Sequence, residues 1–291
     1  GAITDSAAYV YSLMSDEQKK ELITTYFSPD RMNYRMVRIH MDSCDFSTEM
    51  YEAMGDSQDT ELSTFSFDRT EKYIMPMLRD AQEAAGRPLE LMLSPWSPPA
   101  FMKTNGSRVQ GGSIRPEFRK MWADYICRYI KEFRDRGYKV KRISLQNEPK
   151  AVQTWDSCIY TSKQEKEFLR DFMYPSLKEH GMEDVEIFIW DHNKERVYER
   201  VKEIVDSETD KMVTGVAFHW YSGDHFEALD LVRRHFPDKK MIISESCIEY
   251  SKFNEADIVK SAARLSHEMI GDLNNGMSAF YDWNLLLDEK G

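Results

Sequence analysis

The chain has 291 residues, 41% of them hydrophobic, which is enough apolar material for one large core. Its 39 Lys and Arg against 50 Asp and Glu give a net charge of −11, which argues against nucleic acid or any other polyanion as a partner. No run approaches the roughly 18 apolar residues of a membrane span, and Cys44, Cys127, Cys158 and Cys247 form no CxxC pair for zinc or redox work.

GAITD (1–5) reads as the remnant of a strand, and SDEQKKELITTYF (15–27) as a helix opened by Ser15 and acidic residues. MVRIHM (36–41) is a short apolar run of strand type. The segment 69–86 is helical in pattern, closed by Gly86, with Pro76 predicting a kink. LELMLSPW (89–96) is the next strand, followed by a helix over 116–137 that opens at Pro116 and stops at Gly137. KRISLQNE (141–148) then carries a carboxylate at its tip, and Pro149 after it predicts that Glu148 is held extended. The alternation continues with a helix over 162–181, VEIFIWDH (185–192), a helix over 193–207 and GVAFHWY (215–221). It ends with a helix over 224–236, MIISESC (241–247), a helix over 256–276 and MSAFYDW (277–283).

Strand–helix alternation of this kind means parallel βαβ units, and seven strands plus GAITD predict a (β/α)8 barrel formed by residues 1–291 as one domain. A doubly wound sheet is the runner-up, but no Gly-rich phosphate turn follows the first strand. In a barrel the site lies at the C-terminal strand ends, where the sequence places polar and aromatic side chains again and again: Asp45, Trp96, Asn147, Glu148, Asp191, His192, His219, Trp220, Tyr221, Glu245, Trp283 and Asn284. Two glutamates on separate strand ends, Glu148 and Glu245, suit glycoside hydrolysis: one protonates the leaving oxygen, and the other attacks the anomeric carbon or activates water. Trp96 and Trp283 offer flat faces for a pyranose ring, and Asp45 offers a bidentate acceptor for vicinal hydroxyls. Asp191 and His192 raise a metal, but no third ligand is spaced to complete the set, so neither metal nor other cofactor is expected. The WDHN turn is expected on an outer wall of the pocket.

The ordered set GAITDSA (1–7), RIHMDSCDFS (38–47), SPWSPPAFMKTNG (94–106), QNEP (146–149), HWY (219–221), SESC (244–247) and DWNLLL (282–287) resembles glycoside hydrolase family 30 from Gly1 to Gly291. That family comprises glucosylceramidases, β-1,6-glucanases and related β-glycosidases. The resemblance implies a retaining mechanism with Glu148 as acid/base and Glu245 as nucleophile. It implies that Asp45, Trp96 and Asn147 bind the glycone, with Trp283 and Asn284 as the far wall. Arg38, His219 and Tyr221 match polar residues around the nucleophile. Arg38 would keep Glu245 charged, and Glu148 is expected to carry a raised pKa so that it rests protonated. A β-linked glucoside or oligosaccharide is the implied partner, with a β-xylosidase or β-fucosidase of the same family, or a catalytically silent sugar-binding barrel, as alternatives. SCDFS and the SPW…KTNG context are closer to the glucosyl-preferring branch than to the xylan-cleaving one. Family members also carry a β-sandwich beside the barrel, which nothing in this chain supplies. Against that family pattern the chain opens inside the first barrel strand and stops just after the eighth, so it reads as the barrel segment of a longer protein or a chain whose ends are not shown; no basic-then-apolar leader opens it, and secreted and cytoplasmic settings both stay open.

Overall fold

The computed structural model describes residues 1–248 and 254–288. Their core is a parallel sheet of seven strands in sequential order: β1 Met36–Met41, β2 Glu90–Pro95, β3 Lys139–Ser144, β4 Glu186–Asn193, β5 Gly215–His219, β6 Lys240–Glu245 and β7 Met277–Phe280. The expected eighth strand is reduced to single-residue bridges. Ala2 pairs in parallel with Arg38 on one side and Asn284 on the other, through bonds such as Ala2 N to Trp283 O at 3.0 Å and Leu285 N to Ala2 O at 3.1 Å. GAITD therefore joins β1 to the stretch after β7 instead of forming a ladder of its own, because helix α1 (Asp5–Leu13) begins at once. Thr4 caps that helix, its hydroxyl accepting from Ala7 N.

The remaining helices are α2 Asp16–Phe27, α3 Asp68–Lys72, α4 Ile74–Ala85, α5 Arg119–Asp135, α6 Ser162–Phe168, α7 Tyr174–Glu179, α8 Val197–Ile204, α9 Phe226–His235 and α10 Ile258–Asn274. Ser15 and Gln18 make a reciprocal capping box at α2, and Gly86 closes α4 at φ +61°. Two expectations of single helices change at prolines. Pro76 falls in the first turn of α4, where a missing N–H is tolerated, so the chain breaks at Tyr73 instead of kinking. The helix expected over 162–181 is interrupted by a π turn, Leu169–Met173, just before Pro175 removes a donor.

Side chains alternate across each strand. Val37, Ile39, Leu91, Leu93, Ile143, Ile187, Val216, Phe218 and Ile243 belong to the main apolar cluster shared with the helices. The interior face is different. Met92, Phe188, Ala217, Ile242 and Tyr281 fill its middle layer. Beneath them Arg142 plugs the barrel, donating to Tyr281 OH at 2.6 Å and to Glu90 at 2.8 Å. Towards the C-terminal ends the interior turns polar, with Arg38, Ser94, Ser144, Asp191, His219 and Ser244 all buried. Buried polar groups are tolerated only when they satisfy one another, and their partners are found at the rim.

Candidate active site

Strand irregularities aim the polar side chains. Between β4 and β5 the register passes from Trp190–Ala217 to His192–Phe218, which leaves Asp191 as an extra residue. Between β5 and β6 it passes from Phe218–Ile243 to His219–Glu245, which leaves Ser244 extra. Bulges of this kind re-aim side chains, and these two meet: Ser244 Oγ donates to Asp191 Oδ1 at 2.5 Å. Backbone strain gathers at the same place, with positive φ at Trp190 (+76°), Asp191 (+51°) and Glu148 (+46°). Each such residue costs on the order of 1–3 kcal/mol and persists only where neighbours over-determine it. Here Trp190 N is held by Glu165 Oε1 at 2.8 Å and Glu148 N by Asp191 O at 2.9 Å.

Glu148 is thus not the extended strand tip that Pro149 predicts. β3 stops at Ser144, and the following residues form a tight turn in which Glu148 adopts a left-handed conformation. The proline argument excludes right-handed helix for the preceding residue but says nothing of the left-handed region.

Arg38 occupies the centre, fully buried. Its Nη1 donates to Glu245 Oε2 at 2.6 Å, and its Nη2 to Asp191 Oδ2 at 2.9 Å and Asn147 Oδ1 at 2.8 Å. Tyr221 OH donates to the other Glu245 oxygen at 2.8 Å. His219, also fully buried, lies between the acids. Its Nε2 is 3.1 Å from Asp191 Oδ1, its Nδ1 is 3.2 Å from Glu148 Oε1, and Glu245 Oε2 is 4.0 Å away. Burial opposes charge on this imidazole, but Glu245, Asp191 and Glu148 outweigh it and lift its pKa from 6.5 to about 9. Burial likewise opposes the ionised form of Glu148, yet bonds from His192 and His219 outweigh it and hold the carboxyl well below its usual range. That direction is opposite to the raised pKa expected of Glu148; it is His219, one hydrogen bond away, whose protonated form these contacts favour. Asp191 is held below its usual range as well, where Arg38 and His219 outweigh burial.

This arrangement fixes the pH dependence of stability. Because His219 titrates near 9 in the folded chain and near 6.5 otherwise, its contribution is complete below about pH 6.5 and is lost as pH rises to about 9. The depressed carboxyls contribute above about pH 4 and lose their effect in acid. Urea midpoints are expected to decline between pH 6.5 and 9, and His219→Asn to flatten that decline; an equally steep decline in the variant would refute the assignment.

The other expected residues have more varied places. Asp45 is exposed; desolvation of its carboxyl and the charges of Glu245 and Glu148 act to raise its pKa, and Arg38 acts to lower it. Trp96 and Trp283 are not two separate walls. They stack on each other with centroids 5.4 Å apart, almost wholly buried, and the Arg38 guanidinium lies over them at 4.8 and 5.2 Å. Asn284 is half-buried, its Oδ1 accepting from Thr4 while its Nδ2 is buried without a hydrogen-bond partner among the described residues. Asp191, expected on an outer wall, is instead the buried hub that Ser144, Ser244, Arg38 and His219 all contact. Nothing in the sequence gave it that position, because a bulge is invisible to a period-two pattern. Outside the cleft, Arg108 joins Asp42 at 3.3 Å and Asp156 at 2.7 Å, while Tyr125 and Tyr129 donate to Asp42. This buried network anchors the loop that leads to Asp45.

A parallel α/β sheet with two carboxylates and a buried arginine at its C-terminal strand ends is the architecture of a TIM-barrel domain. The chain is a member of glycosyl hydrolase family 30: residues 1–291 match that family's TIM-barrel domain. It is 31% identical over 310 residues to mouse lysosomal acid glucosylceramidase and 30% identical over 306 residues to putative glucosylceramidase 3 of Caenorhabditis elegans. Both matches take in all of this chain and 59% and 58% of those proteins, so the chain spans about three fifths of their length. Its fold superposes on the crystal structure of SrfJ from Salmonella typhimurium with a TM-score of 0.95 at 38% identity, covering all of this chain and 66% of that one.

Proposed function

We propose that residues 1–291 act as one catalytic (β/α)8 domain that hydrolyses β-glucosides with retention of configuration. The observation that carries this reading is the unequal treatment of two acids around one imidazole. Glu245 is bonded to the permanent cation Arg38, whereas the Glu148 carboxylate faces His219 and His192 among the described residues. A fixed charge suits a nucleophile, and a proton-exchanging partner suits an acid/base. Glu245 attacks the anomeric carbon while the His219–Glu148 pair delivers its proton, through Glu148, to the departing oxygen. Once the glycosyl ester forms, Glu245 has lost its negative charge; Glu148, now a carboxylate, takes a proton from the incoming water.

Asn147 has its Oδ1 engaged by Arg38, which leaves Nδ2 as the donor for the sugar 2-hydroxyl. Asp45 accepts from outer hydroxyls, the unpartnered Asn284 Nδ2 donates, and Tyr221 and His219 hold the acids in place. Trp96 and Trp283 serve as the floor of the glycone subsite. Trp155, 38% exposed on the loop after Glu148, is an aglycone platform. Glucosylceramide-type substrates are favoured by the similarity to glucosylceramidases, with β-1,6-glucan as the next choice. A β-sandwich beside the barrel is the partner domain we expect, and the exposed Val259, Ile270 and Leu273 of α10 offer apolar surface for one.

The test offers aryl β-glucoside, β-xyloside, β-fucoside and a β-1,6-gluco-oligosaccharide to the protein and to Glu245→Gln. The glucosides are expected to be cleaved with the β-anomer as first product by NMR. If no substrate is cleaved faster than by Glu245→Gln, a silent sugar-binding barrel is the better reading.

A further inference from the structure

His192 is not used in the proton transfer above; its Nδ1 is buried and turned towards Glu148, and beyond that one contact it has no hydrogen-bond partner among the described residues. It lies 3.5 Å from Glu148 Oε1, and on the other side of that same oxygen His219 Nδ1 is at 3.2 Å. All three ligand atoms fall within 4.8 Å of one another. We propose that Glu148, His192 and His219 form a binding site for a first-row transition-metal dication, and that an ion bound there switches hydrolysis off.

The distances suit the ion. Ligand atoms on a tetrahedral zinc with bonds of about 2.0–2.1 Å are about 3.4 Å apart, so both edges that meet at Glu148 Oε1 already have the required length. Two imidazoles and one carboxylate are a donor set that zinc, cobalt, nickel and copper all accept. The supporting shell is in place as well. His219 Nε2 is bonded to Asp191 Oδ1 at 3.1 Å, and Asp191 is itself fixed by Ser144 and Ser244. A carboxylate behind a ligand histidine fixes the tautomer, leaving Nδ1 to bear the lone pair once the proton is displaced. Glu148 and His192 are 17% and 14% exposed at the side chain, so an ion can enter from the cleft and keep water as its fourth ligand.

The two halves of the proposal are separable. Binding stands on the geometry alone. Inhibition rests on the reading of Glu148 as acid/base, since a metal-bound carboxylate can neither hold nor deliver the proton.

The experiment titrates EDTA-stripped protein with Co²⁺ and follows its visible d–d bands together with quenching of tryptophan fluorescence. Trp190 is the reporter, its ring centroid lying 5.0 Å from that of His192. We expect saturation at one equivalent, displacement by Zn²⁺, and a loss of affinity of about 100-fold in His192→Asn and in Glu148→Gln. Circular dichroism verifies that each variant is folded. His192→Asn, at the rim, is the decisive substitution if variants of the buried His219 do not fold. Zn²⁺ should also inhibit aryl glucoside hydrolysis at the concentration that displaces cobalt. Absence of saturable binding overturns the proposal, as does binding that His192→Asn leaves unchanged. A protein that binds the ion but hydrolyses nothing keeps the site and refutes the catalytic reading instead.

Discussion

Replacing Glu245 by Gln is expected to lower kcat/KM for aryl β-glucosides by about 10⁴-fold or more, the scale seen when a covalent nucleophile is removed. The amide is close to isosteric, Tyr221 still has an acceptor, and Arg38 keeps its pair with Asp191, so the variant should remain folded. Glu148→Gln should behave differently, because general acid catalysis contributes about 10²–10⁴-fold and matters most for poor leaving groups. With a dinitrophenyl glucoside the first step needs little proton donation. The second step lacks its base, so a glycosyl-enzyme should accumulate and be visible by mass spectrometry on the peptide that carries Glu245. Azide, which needs no base to attack, should restore turnover in Glu148→Gln as a β-glycosyl azide. If the two variants lose activity equally on every leaving group, or the label maps away from Glu245, the division of roles is wrong.

How far the sequence foretold these positions depends on what kind of signal each one left. The strand order was legible because parallel strands buried on both faces are continuous apolar runs, and β1 begins and ends where the pattern places it. Other strand ends ran short. KRISLQNE was read as one strand to Glu148, whereas β3 stops at Ser144, since apolar Leu145 continues the pattern after the ladder has ended. Pro76 was read as an interruption but not as to kind, and Pro175 was not read as one at all, because a break, a kink and a π turn all follow from the same missing donor.

At the site, the residue types could be read but their pairings could not. Arg38 was expected near Glu245 and lies 2.6 Å from it. Asp191 was set on an outer wall, because only the slip of register at Trp190 turns it inward. A third ligand for the Asp191–His192 pair was sought along the chain; in the structure it is Glu148 and His219, from two other elements, that come within 4.8 Å of His192. The protonation of Glu148 failed for a related reason. A carboxylate after an apolar run gives no hint that an imidazole two strands away, His219 of β5, will lie 3.2 Å from it and favour its ionised form.

Arg38 should prove the most sensitive position for stability. It is fully buried, carries a permanent charge, and satisfies Glu245, Asp191, Asn147 and Ser94 at once while lying over two indole rings. Arg38→Met keeps most of the volume but leaves two buried carboxylates with only the His219 imidazole between them. Breaking a buried pair in this way costs about 3–5 kcal/mol, which for a chain of this size is a fall in Tm of roughly 6–15 °C. Arg38→Lys retains the charge but reaches one acceptor instead of four, so a smaller loss of stability and a larger relative loss of activity are expected. The pH dependence separates a charge effect from a packing effect. In the Met variant the two acids repel, and protonating either relieves the repulsion, so the stability deficit relative to the parent should shrink as pH falls from 7 to 5. A methionine that merely packed badly would give the same deficit at every pH, and that result would remove Arg38 from the electrostatic centre of the site.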